Sequence, residues 1–452
     1  MRFKNENLSG WGNNNIIDSQ VFSPKSRQDL IPLIRKHTFI ARGLGRSYGD
    51  QALNSDDYVV DCTRLNHFLD FNEQTGVLHC EAGVSLADII EVFAPRGWFP
   101  KVNPGTKYVT LGGAIANDIH GKAHHIDGSF ANSVIEFTIM LADGSIVTAS
   151  RSSHSDLFWA NFGGLGLLGI ILSAKVQLKQ IETTYFTHKA FSIRSFDEMV
   201  EAFQVNDPLY NYSVAWIDPL AVGKNLGQGI LTVGNSAKFS ELPTSVQTHP
   251  LKVHSEKHLS VPFYLPNNTL NPLSLQVLNR VIRRIQGRQT KFSHYEQFFF
   301  PLDMIHHWNR SYGKRGFIQY QFVIPVQATN QLKGILKKIS TSGCLPFLNV
   351  LKKLGPGHRY LSFPMEGFTL AVDFPMTSKL LDLTKTLDKM VLEVGGRIYL
   401  GKDSMLSPEM FRHMYPSHQE WMEIKRKFDP ENTFSSEIAK RLELNPIKDL
   451  VF

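Results

Sequence analysis

Cysteine is scarce in this chain of 452 residues, which contains only Cys62, Cys80 and Cys344. The three residues are far apart, their number is odd, and no two of them form a Cys-x-x-Cys pair. A disulfide framework needs paired cysteines and a cysteine-based zinc site needs closely spaced ones, so both are excluded. We therefore expect free, buried thiols in a reducing compartment, and no bound metal.

Long apolar runs are also missing. The longest, at 165–174, contains glycines and is about half as long as a bilayer span. The first residues, MRFKNEN, lack the apolar core of a signal peptide. We therefore expect a cytoplasmic chain that does not cross a membrane, with or without a peripheral contact at the inner membrane.

Positive charge is only slightly in excess of negative charge. There are 48 lysines and arginines against 41 acidic residues, a formal net charge of +7. The basic residues form short, separated clusters, such as those at 283–284 and 425–427, and no nucleic-acid-binding module is recognisable. Nucleic acid is therefore excluded as a partner. A small excess of positive charge is compatible with an anionic ligand or an acidic membrane surface. The length predicts two or three domains.

Glycine, in contrast, is concentrated in two loops of the first third of the chain. One is RGLGRSYGD at 42–50, and the other comprises the motifs at 104–106, 111–114 and 118–122. Glycines let a backbone turn with positive φ and bring its N–H groups close to phosphate oxygens. The Rossmann fingerprint is excluded, because Tyr48 stands where its third glycine should be. The pair of loops predicts a cofactor with a pyrophosphate, against the alternative of two unrelated surface turns.

The periodicity of the first half predicts short strands and helices in an α+β arrangement. Strands are expected at 58–61 and 78–82, and a helix is expected to begin after Ser85, with Asp88 completing its capping box. A hairpin is expected at 137–148, with Asp143-Gly144 at the turn. We assign residues 1–180 to one domain.

Residues 181–396 are predicted to form a second domain, an antiparallel sheet covered by helices on one side. The strand expected at 317–324 alternates with period two, so Gln319 and Gln321 point to the same face. Helices expected at 330–339 and 379–394 each carry an apolar stripe. The segment 260–275 is apolar but has little periodicity, which predicts either a packed surface loop or a mobile lid.

The glycine-rich motifs, together with the segment 158–166, resemble the FAD domain of the vanillyl-alcohol-oxidase superfamily. Motifs at 300–304, 308–309, 319–322, 347–350, 372–375 and 402–404 are most similar to the decaprenylphosphoryl-β-D-ribose 2-oxidase family. The resemblance runs from about residue 10 to the end of the chain. It implies a two-domain FAD-binding fold of the vanillyl-alcohol-oxidase type, in which residues 397–452 return to the FAD domain.

The same resemblance implies which residues contact FAD. Arg46 stands where many relatives carry the histidine that bonds to the flavin, so noncovalent FAD is expected unless His120 or a cysteine forms the link. The expected cofactor contacts are Arg42, Gly43, Leu44, Gly45, Arg46, Ser47, Tyr48, Gly49, Gly105, Thr106, Thr110, Gly113, Asn117, His120, Gly121, Ile170 and Tyr399.

Two residues are expected to act in catalysis, Lys402 and His120. Removal of hydride from a carbinol carbon requires the hydroxyl proton to leave. Lys402 could take that proton if burial lowers its pKa, or could stabilise the oxyanion while charged; the alternative is a surface pair with Asp403. The expected substrate contacts are Lys122, Gln319, Gln321, Asn349, Lys352 and Lys402.

The implied reaction is FAD-dependent oxidation of the 2′-hydroxyl of a polyprenylphosphoryl-β-D-ribose to the 2′-keto sugar. A separate short-chain dehydrogenase/reductase would complete epimerisation to the arabinose form used in cell-wall arabinan biosynthesis, and a quinone or oxygen would reoxidise the flavin. Three positions depart from the family pattern, namely Ala371, Thr369 and Phe299, where family members carry cysteine, asparagine and tyrosine. These departures leave the identity of the sugar open.

Two rival functions are weighed against this reading. An aldonolactone or alditol oxidase is disfavoured, because lactone oxidases typically carry His-Trp-(Gly/Ala)-Lys whereas His307-Trp308 is followed here by Asn309-Arg310. A non-catalytic flavin-binding scaffold is disfavoured by the presence of Lys402 and His120.

Overall fold

The computed structural model of the protein describes residues 3–34, 36–253, 259–267, 269–286 and 292–446. The strands in chain order are β1 (Lys4–Ser9), β2 (Ile16–Phe22), β3 (Phe39–Arg42), β4 (Tyr58–Asp61), β5 (Phe68–Asn72), β6 (Val77–Glu81), β7 (Trp98–Pro100), β8 (Val134–Met140), β9 (Ile146–Ser150), β10 (Ile170–Gln180), β11 (Tyr185–Ile193), β12 (Tyr212–Ile217), β13 (Gly229–Ser236), β14 (Leu259–Ser260), β15 (Phe292–His294), β16 (Ile305–His306), β17 (Phe317–Pro325), β18 (Asn349–Leu354), β19 (Gly367–Pro375) and β20 (Arg397–Ile398).

The helices are α1 (Ile31–Ile34), α2 (Leu86–Phe93), α3 (Leu111–Ala116), α4 (His124–Asp127), α5 (Ser155–Asn161), α6 (Phe196–Asn206), α7 (Thr244–Gln247), α8 (Pro272–Gln286), α9 (Tyr295–Phe299), α10 (Thr329–Thr341), α11 (Leu380–Glu393), α12 (Pro408–Met414), α13 (His418–Phe428) and α14 (Glu437–Arg441). No helix within the described residues is long and apolar enough to span a bilayer.

The N-terminal part contains two sheets. The first has the order β1-β2-β4-β3, and β4 runs parallel to both β2 and β3. The second has the order β5-β6-β10-β8-β9, with β7 paired to β10, and is antiparallel throughout. The strands predicted at 58–61 and 78–82 are β4 and β6, and the predicted hairpin is the β8–β9 pair. These local predictions are confirmed.

Helix α2 shows why the start of a helix could be predicted from the local sequence. Ser85 and Asp88 form the reciprocal capping box, in which the Ser85 hydroxyl accepts from the Asp88 amide and the Asp88 carboxylate accepts from the Ser85 amide. The apolar residues Leu86, Ile89 and Phe93 are buried on one side of the helix. The cap satisfies amides that lack intrahelical partners, and burial of the apolar stripe then fixes the helix on its sheet.

The second part is an antiparallel sheet of eight strands, in the order β15-β11-β13-β12-β18-β19-β17-β20. On β17, Ile318, Tyr320 and Phe322 belong to the same buried cluster as the apolar stripes of α10 and α11. Because side chains alternate along a strand, Gln319 and Gln321 lie on the opposite face. The predicted sheet with helices on one side is confirmed, and its other face is left for a ligand.

The C-terminal segment first extends this sheet and then returns to the N-terminal part. Strand β20 pairs with β17, so the sheet continues just past residue 396. Farther on, the indole of Trp421 donates to the carbonyl of Ala160 at 2.9 Å. The ammonium of Lys425 is fully buried, pairs with Asp429 and donates to the carbonyl of Leu167. These contacts hold helix α13 against the N-terminal core.

The segment expected to be a loop or a lid at 260–275 contains regular structure at both ends. Its first residues follow β14, which pairs in parallel with β16, and its last residues belong to α8. The guanidinium of Arg310 donates to the carbonyls of Val261 and Pro262. Residue 268 lies outside the described residues, and mobility of the segment stays a prediction.

Candidate active site

A cavity of about 370 Å³ lies between the glycine-rich loops and the open face of the eight-stranded sheet. This volume falls within the usual range for ligand sites. Both parts of the chain contribute to its wall, and the C-terminal segment adds a third side. Predicted residues on the wall are Arg42, Gly43, Leu44, Gly45, Arg46, Ser47, Tyr48, Gly49, Gly105, Thr106, Thr110, Gly113, Asn117, His120, Gln319, Gln321, Lys352, Tyr399 and Lys402.

The loops that carry the glycines make a smooth backbone wall. A Cβ atom at Gly43 would collide with the side chain of Thr110, which itself accepts from the amide of Gly113 at 3.2 Å. At Gly45 the backbone adopts φ +63°, a conformation that favours glycine. At Gly105 a Cβ would meet no atom within 4 Å. The wall is therefore close-packed at Gly43, where a side chain would not fit, and has free space at Gly105.

Unpartnered polar atoms on this wall fit an extended polar cofactor. Within the described residues, the side-chain oxygen of Asn117 and Nδ1 of His120 are buried and have no hydrogen-bond partner. Such atoms are costly unless a ligand or water satisfies them. The Tyr399 hydroxyl donates to the carbonyl of Asn117 at 2.8 Å, which fixes the position of that residue. The glycine wall and these atoms fit the predicted FAD site.

Arg46 occupies the mouth of the cavity. Its guanidinium lies 4.1 Å from the ring centroid of Trp11 and 5.7 Å from that of Tyr108. Burial lowers the pKa of Arg46, and the nearby Asp303 carboxylate opposes that shift. A charged guanidinium stacked on an aromatic ring is held by the ring quadrupole. Arg46 therefore stays a cation, and it has no imidazole nitrogen with which to bond a flavin.

Lys402 lies at the junction of the three sides. Its ammonium nitrogen is 3.8 Å from the ring centroid of Tyr48. Burial lowers the pKa of Lys402 to about 7, with Asp373 opposing the shift and Lys352 adding to it. The surface pair with Asp403 is not formed, because the Asp403 carboxylate bridges to Arg441 instead. The structure thus places a lysine that can exist uncharged near neutral pH on the cavity wall.

Asp373 is a fully buried carboxylate behind this lysine. It accepts from the side-chain amide of Gln319 at 2.6 Å and from the hydroxyl of Tyr312 at 3.2 Å. Gln319 also reaches the Tyr48 hydroxyl at 3.4 Å. Burial raises the pKa of Asp373 to about 6, and these hydrogen bonds and Lys402 oppose the shift. The network fixes Gln319 and places a negative charge near Lys402.

His120 is held by the second glutamine of β17. Its Nε2 lies 2.9 Å from the side-chain nitrogen of Gln321, which also donates to Thr369 at 3.2 Å. The imidazole packs against the Tyr399 ring at a centroid distance of 5.1 Å. Burial, followed by the charge of Lys352, lowers the pKa of His120 well below its usual value. His120 is therefore a neutral imidazole. Its Nε2 accepts a hydrogen bond from Gln321, and its Nδ1 carries the proton.

Lys352 and Lys122 are both buried, yet they lie in different places. Burial lowers the pKa of Lys352 to about 8, and its side chain lines the cavity. Lys122 is not on the wall: its ammonium donates to the carbonyl of Phe298 and lies 4.7 Å from that residue's ring centroid. Burial lowers the pKa of Lys122 to about 7. Lys352 is therefore available to a ligand, whereas Lys122 is engaged behind the site.

Three further predicted contacts do not reach the cavity wall. Gly121 packs against the carbonyl of Asn103, and Ile170 is buried in a cluster of the N-terminal core. Asn349 is buried, and its side-chain oxygen lacks a partner among the described residues. In each case a residue next to it in the chain does line the cavity: His120 beside Gly121, Gly169 and Ile171 beside Ile170, and Leu348 and Val350 beside Asn349.

The three residues that differ from the family pattern lie in different surroundings. Ala371 lines the cavity, so a small residue enlarges the space there. Thr369 takes a place in the Gln321 network by donating to the Phe322 carbonyl at 2.8 Å. Phe299 is buried among aromatic rings and packs edge-on to Phe186 at 4.8 Å. The first two shape the cavity, whereas the third belongs to the core behind it.

The structure also brings residues to the wall that had no predicted role. Trp11, Tyr108 and Asp303 lie near Arg46 on the wall, and Trp308 packs on Trp11 at a ring-centroid distance of 6.0 Å. Asp303 accepts from the amide of Lys107 at 2.8 Å and so connects the two domains. The motifs at 300–304 and 308–309 carried a signal for two of these residues. Across the described residues, no three His, Cys, Asp or Glu side chains are grouped to bind a metal.

Comparison with known proteins gives two family matches. Residues 19–150 match the FAD binding domain, and residues 370–442 match the D-arabinono-1,4-lactone oxidase family. The first match covers the glycine-rich loops, and the second covers Asp373, Tyr399 and Lys402. Together they confirm the predicted α+β fold with an FAD-binding domain.

Individual relatives are more specific. The chain is 39% identical over 448 residues to the decaprenylphosphoryl-beta-D-ribose oxidase of Mycolicibacterium smegmatis, covering 97% of each protein. It is 29% identical over 370 residues to an uncharacterized protein in the mprA 5′ region of Streptomyces coelicolor, covering 80% of this chain and all of that one. With the L-gulonolactone oxidase of Mus musculus it shares 31% identity over 137 residues, 30% of each chain.

Proposed function

Since the chain belongs to the family of decaprenylphosphoryl-β-D-ribose oxidases and is an FAD-dependent oxidoreductase, we propose that it oxidises the 2′-hydroxyl of a polyprenylphosphoryl-β-D-ribose to a ketone. The observation that carries the proposal is the buried Lys402 on the cavity wall, next to Tyr48 of the first glycine-rich loop. Bound FAD supplies the acceptor for the hydride that leaves the carbinol carbon.

Lys402 takes the hydroxyl proton in this proposal. Burial lowers its pKa to about 7, so a large fraction is uncharged near neutral pH and able to accept a proton. The ring of Tyr48 covers the ammonium at 3.8 Å and limits the directions from which a hydroxyl can approach. Once protonated, Lys402 is stabilised by the carboxylate of Asp373.

Gln319 and Gln321 present their side-chain carbonyl oxygens to the sugar hydroxyls as acceptors, because both N–H groups of each amide are already engaged, and Lys352 presents a donor. Gln319 is held by Asp373, and Gln321 is held between His120 and Thr369. Because these contacts exist before any ligand binds, little side-chain entropy is lost on binding. Neutral His120 orients Gln321, and Lys352 adds a positive charge suited to an anionic substrate.

The remaining parts of the proposal concern partners and location. The 2′-keto product needs a reductase of the short-chain dehydrogenase type to reach the arabinose form, and a quinone or oxygen has to accept the electrons. Cys62, Cys80 and Cys344 are free and buried, which supports a reducing compartment. We place the enzyme in the cytoplasm, with a peripheral contact at the inner membrane where its lipid substrate resides.

A second candidate is supported by the match of residues 370–442 to D-arabinono-1,4-lactone oxidases. That match covers only residues 370–442 of the 452, whereas the polyprenyl-sugar relative matches 97% of the chain. The sequence His307-Trp308-Asn309-Arg310 also lacks the lysine typical of lactone oxidases. An aldonolactone or alditol oxidase therefore ranks second.

Anaerobic reduction of the bound flavin distinguishes the two candidates. A short-chain prenylphosphoryl ribose, an aldonolactone and an alditol are each mixed with the oxidised enzyme, and the flavin absorption near ~450 nm is followed. We expect rapid bleaching by the prenyl sugar alone. Bleaching only by the lactone or the alditol would keep the fold and overturn the proposed substrate.

The pH dependence of flavin reduction tests the role of Lys402. If uncharged Lys402 is the base, the rate rises with pH through about 7, the pKa to which burial lowers Lys402. The Asp373 carboxylate favours the charged lysine, so Asp373→Asn should move the rise to lower pH. Lys352 disfavours the charged lysine, so Lys352→Met should move it to higher pH. Shifts in the same direction for both variants, or no rise near neutral pH, would contradict the assignment.

The mode of FAD attachment is tested by acid precipitation. Because Arg46 replaces the flavin-bonding histidine of relatives, we expect all flavin in the supernatant after precipitation. Absorption spectra of supernatant and pellet measure the partition. A yellow pellet would show a covalent bond through another residue, such as His120.

A further inference from the structure

Helix α8 exposes apolar side chains instead of burying them. Leu273, Val277 and Val281 are 72%, 55% and 46% exposed. Residues four apart lie on the same side of a helix, so these three form one continuous apolar stripe. Surface helices of globular proteins normally turn such a stripe toward the core. Among the described residues, the stripe is therefore left without a packing partner.

The opposite side of α8 is fixed to the eight-stranded sheet. Leu275 is buried, the side-chain amide of Asn279 donates to the Asp218 carboxylate at 2.7 Å, and Arg283 forms an ion pair with the same carboxylate. Asp218 follows β12 directly. Because these polar contacts determine the rotation of α8, the apolar stripe cannot turn inward without breaking them.

Two arginines accompany the stripe. Arg280 and Arg284 are exposed, and each lies three residues after a valine of the stripe, so they share its side of the helix. No acidic side chain is found on this face between 272 and 284. An apolar stripe with interspersed cations is the composition of helices that lie in the headgroup region of a bilayer, where arginine stems pack on lipid and their charges reach phosphates.

A second exposed apolar group lies beside the cavity. Leu259 and Phe263 are 71% and 63% exposed, and the β14–β16 pair joins this segment to Ile305, which lines the cavity. The backbone amide of Val261 donates to the carbonyl of His306 at 2.9 Å. The chain then leads from this rim to α8. Exposed apolar residues thus lie both at the edge of the substrate cavity and on α8, which follows that edge in the chain.

We propose that helix α8 and the rim residues Leu259, Phe263 and Ile305 form one surface that docks on a bilayer containing anionic lipids. The arginines provide the charge complementarity, and the apolar residues enter the headgroup boundary. The inference rests on the proposed function in one respect: a polyprenyl tail anchored in that bilayer could then reach the cavity past Ile305 without crossing water. A second copy of the chain or a protein partner would be less well matched, since the stripe consists of aliphatic residues and carries no aromatic anchor.

Vesicle binding tests the surface. The FAD-loaded full chain is mixed with vesicles of neutral phosphatidylcholine or of phosphatidylcholine with anionic phosphatidylglycerol, and the bound fraction is measured by flotation. We expect binding to the anionic vesicles only, weakened by added salt. The double change Arg280→Gln and Arg284→Gln should reduce the partition constant about 30-fold, from the usual contribution of a cation near an anionic surface.

Apolar variants and matched controls complete the test. Val277→Ser with Val281→Ser should also reduce binding, whereas Val205→Ser with Leu209→Ser, at equally exposed positions near the end of α6, should not. Arg426→Gln with Lys427→Gln on α13 is the charge-matched control. Failure of the unchanged protein to bind anionic vesicles, or equal binding by the α8 variants and controls, would overturn the proposal, as would a concentration-dependent dimer that the α8 variants abolish.

Flavin reduction separates this proposal from the proposed reaction. All α8 variants should be reduced by a short-chain prenylphosphoryl ribose in the absence of vesicles at the rate of the unchanged protein. Vesicle binding without such reduction would overturn the substrate and leave the docking surface standing. Reduction without vesicle binding would overturn the docking surface and leave the proposed substrate standing.

Discussion

Replacement of Lys402 by alanine is expected to leave FAD bound and to slow flavin reduction by the sugar about 10²–10⁴-fold, the usual contribution of a general base. The lysine is the residue on the cavity wall whose pKa is lowered to about 7 with a carboxylate, Asp373, close enough to stabilise its protonated form. The neighbouring Tyr48 and Gln319 keep their own contacts without it. Anaerobic stopped-flow absorbance measures the rate, and the flavin content of the purified variant measures retention.

Two further variants define what Lys402 contributes. Lys402→Arg keeps the positive charge and removes the ability to accept a proton, so it should be as slow as the alanine variant if the lysine is a base. Recovery of rate in that variant would assign oxyanion stabilisation instead. The matched control is Lys353→Ala, next to Lys352: Lys353 lies 3.8 Å from Asp207 and is not on the cavity wall. Normal turnover in Lys402→Ala would refute the assignment altogether.

Replacement of Gly49 by alanine is expected to destabilise the protein by about 3 kcal/mol or more and to reduce the amount of FAD that it retains. A Cβ at this position would collide with the backbone carbonyl of Asp403. The adjacent Gln51 donates to the carbonyls of Leu400 and Asp403 at 2.5 and 2.7 Å. The change therefore separates the first glycine-rich loop from the segment that carries Lys402.

Urea unfolding and flavin content measure this effect. The midpoint of unfolding should fall while the denaturant slope stays unchanged. Gly334→Ala is the control: its Cβ would meet nothing within 4 Å on the exposed side of α10, so it should stabilise the protein by about 0.5–1 kcal/mol through helix propensity. Unchanged stability and full FAD retention in Gly49→Ala would mean that the junction is looser than the structure shows.

Local chemistry made several elements predictable. The capping box of Ser85 and Asp88, and the Asp143-Gly144 turn of the β8–β9 hairpin, depend on residues within a few positions of each other. The period-two alternation of β17 likewise placed Gln319 and Gln321 on one face, because a strand turns alternate side chains to opposite sides. The strand–helix pattern predicted the fold class, and the glycine-rich loops predicted a cofactor with a pyrophosphate. The resemblance to a known family implied that this cofactor is FAD. The FAD-binding domain and the family are confirmed.

Neighbours in sequence were a poor guide to neighbours in the site. His120 and Lys122 are two residues apart, yet His120 faces the cavity and Lys122 is held by the Phe298 carbonyl behind it. His124, four residues after His120, accepts instead from the amide of Gly355 at 2.9 Å. The backbone turns between these residues, so spacing along the chain did not decide their directions.

The sequence by itself determined the α+β class, the glycine-rich cofactor loops and the alternation of β17, because each depends on residues close together in the chain. The candidate lysine came from the resemblance to a known family. Only the tertiary structure decided that Lys402 meets Asp373 and Lys352, that Arg46 stacks on Trp11, and that α8 turns its apolar stripe outward. These relations join segments far apart in sequence. Burial, which sets the pKa of Lys402 and the orientation of α8, exists only once those segments have packed together.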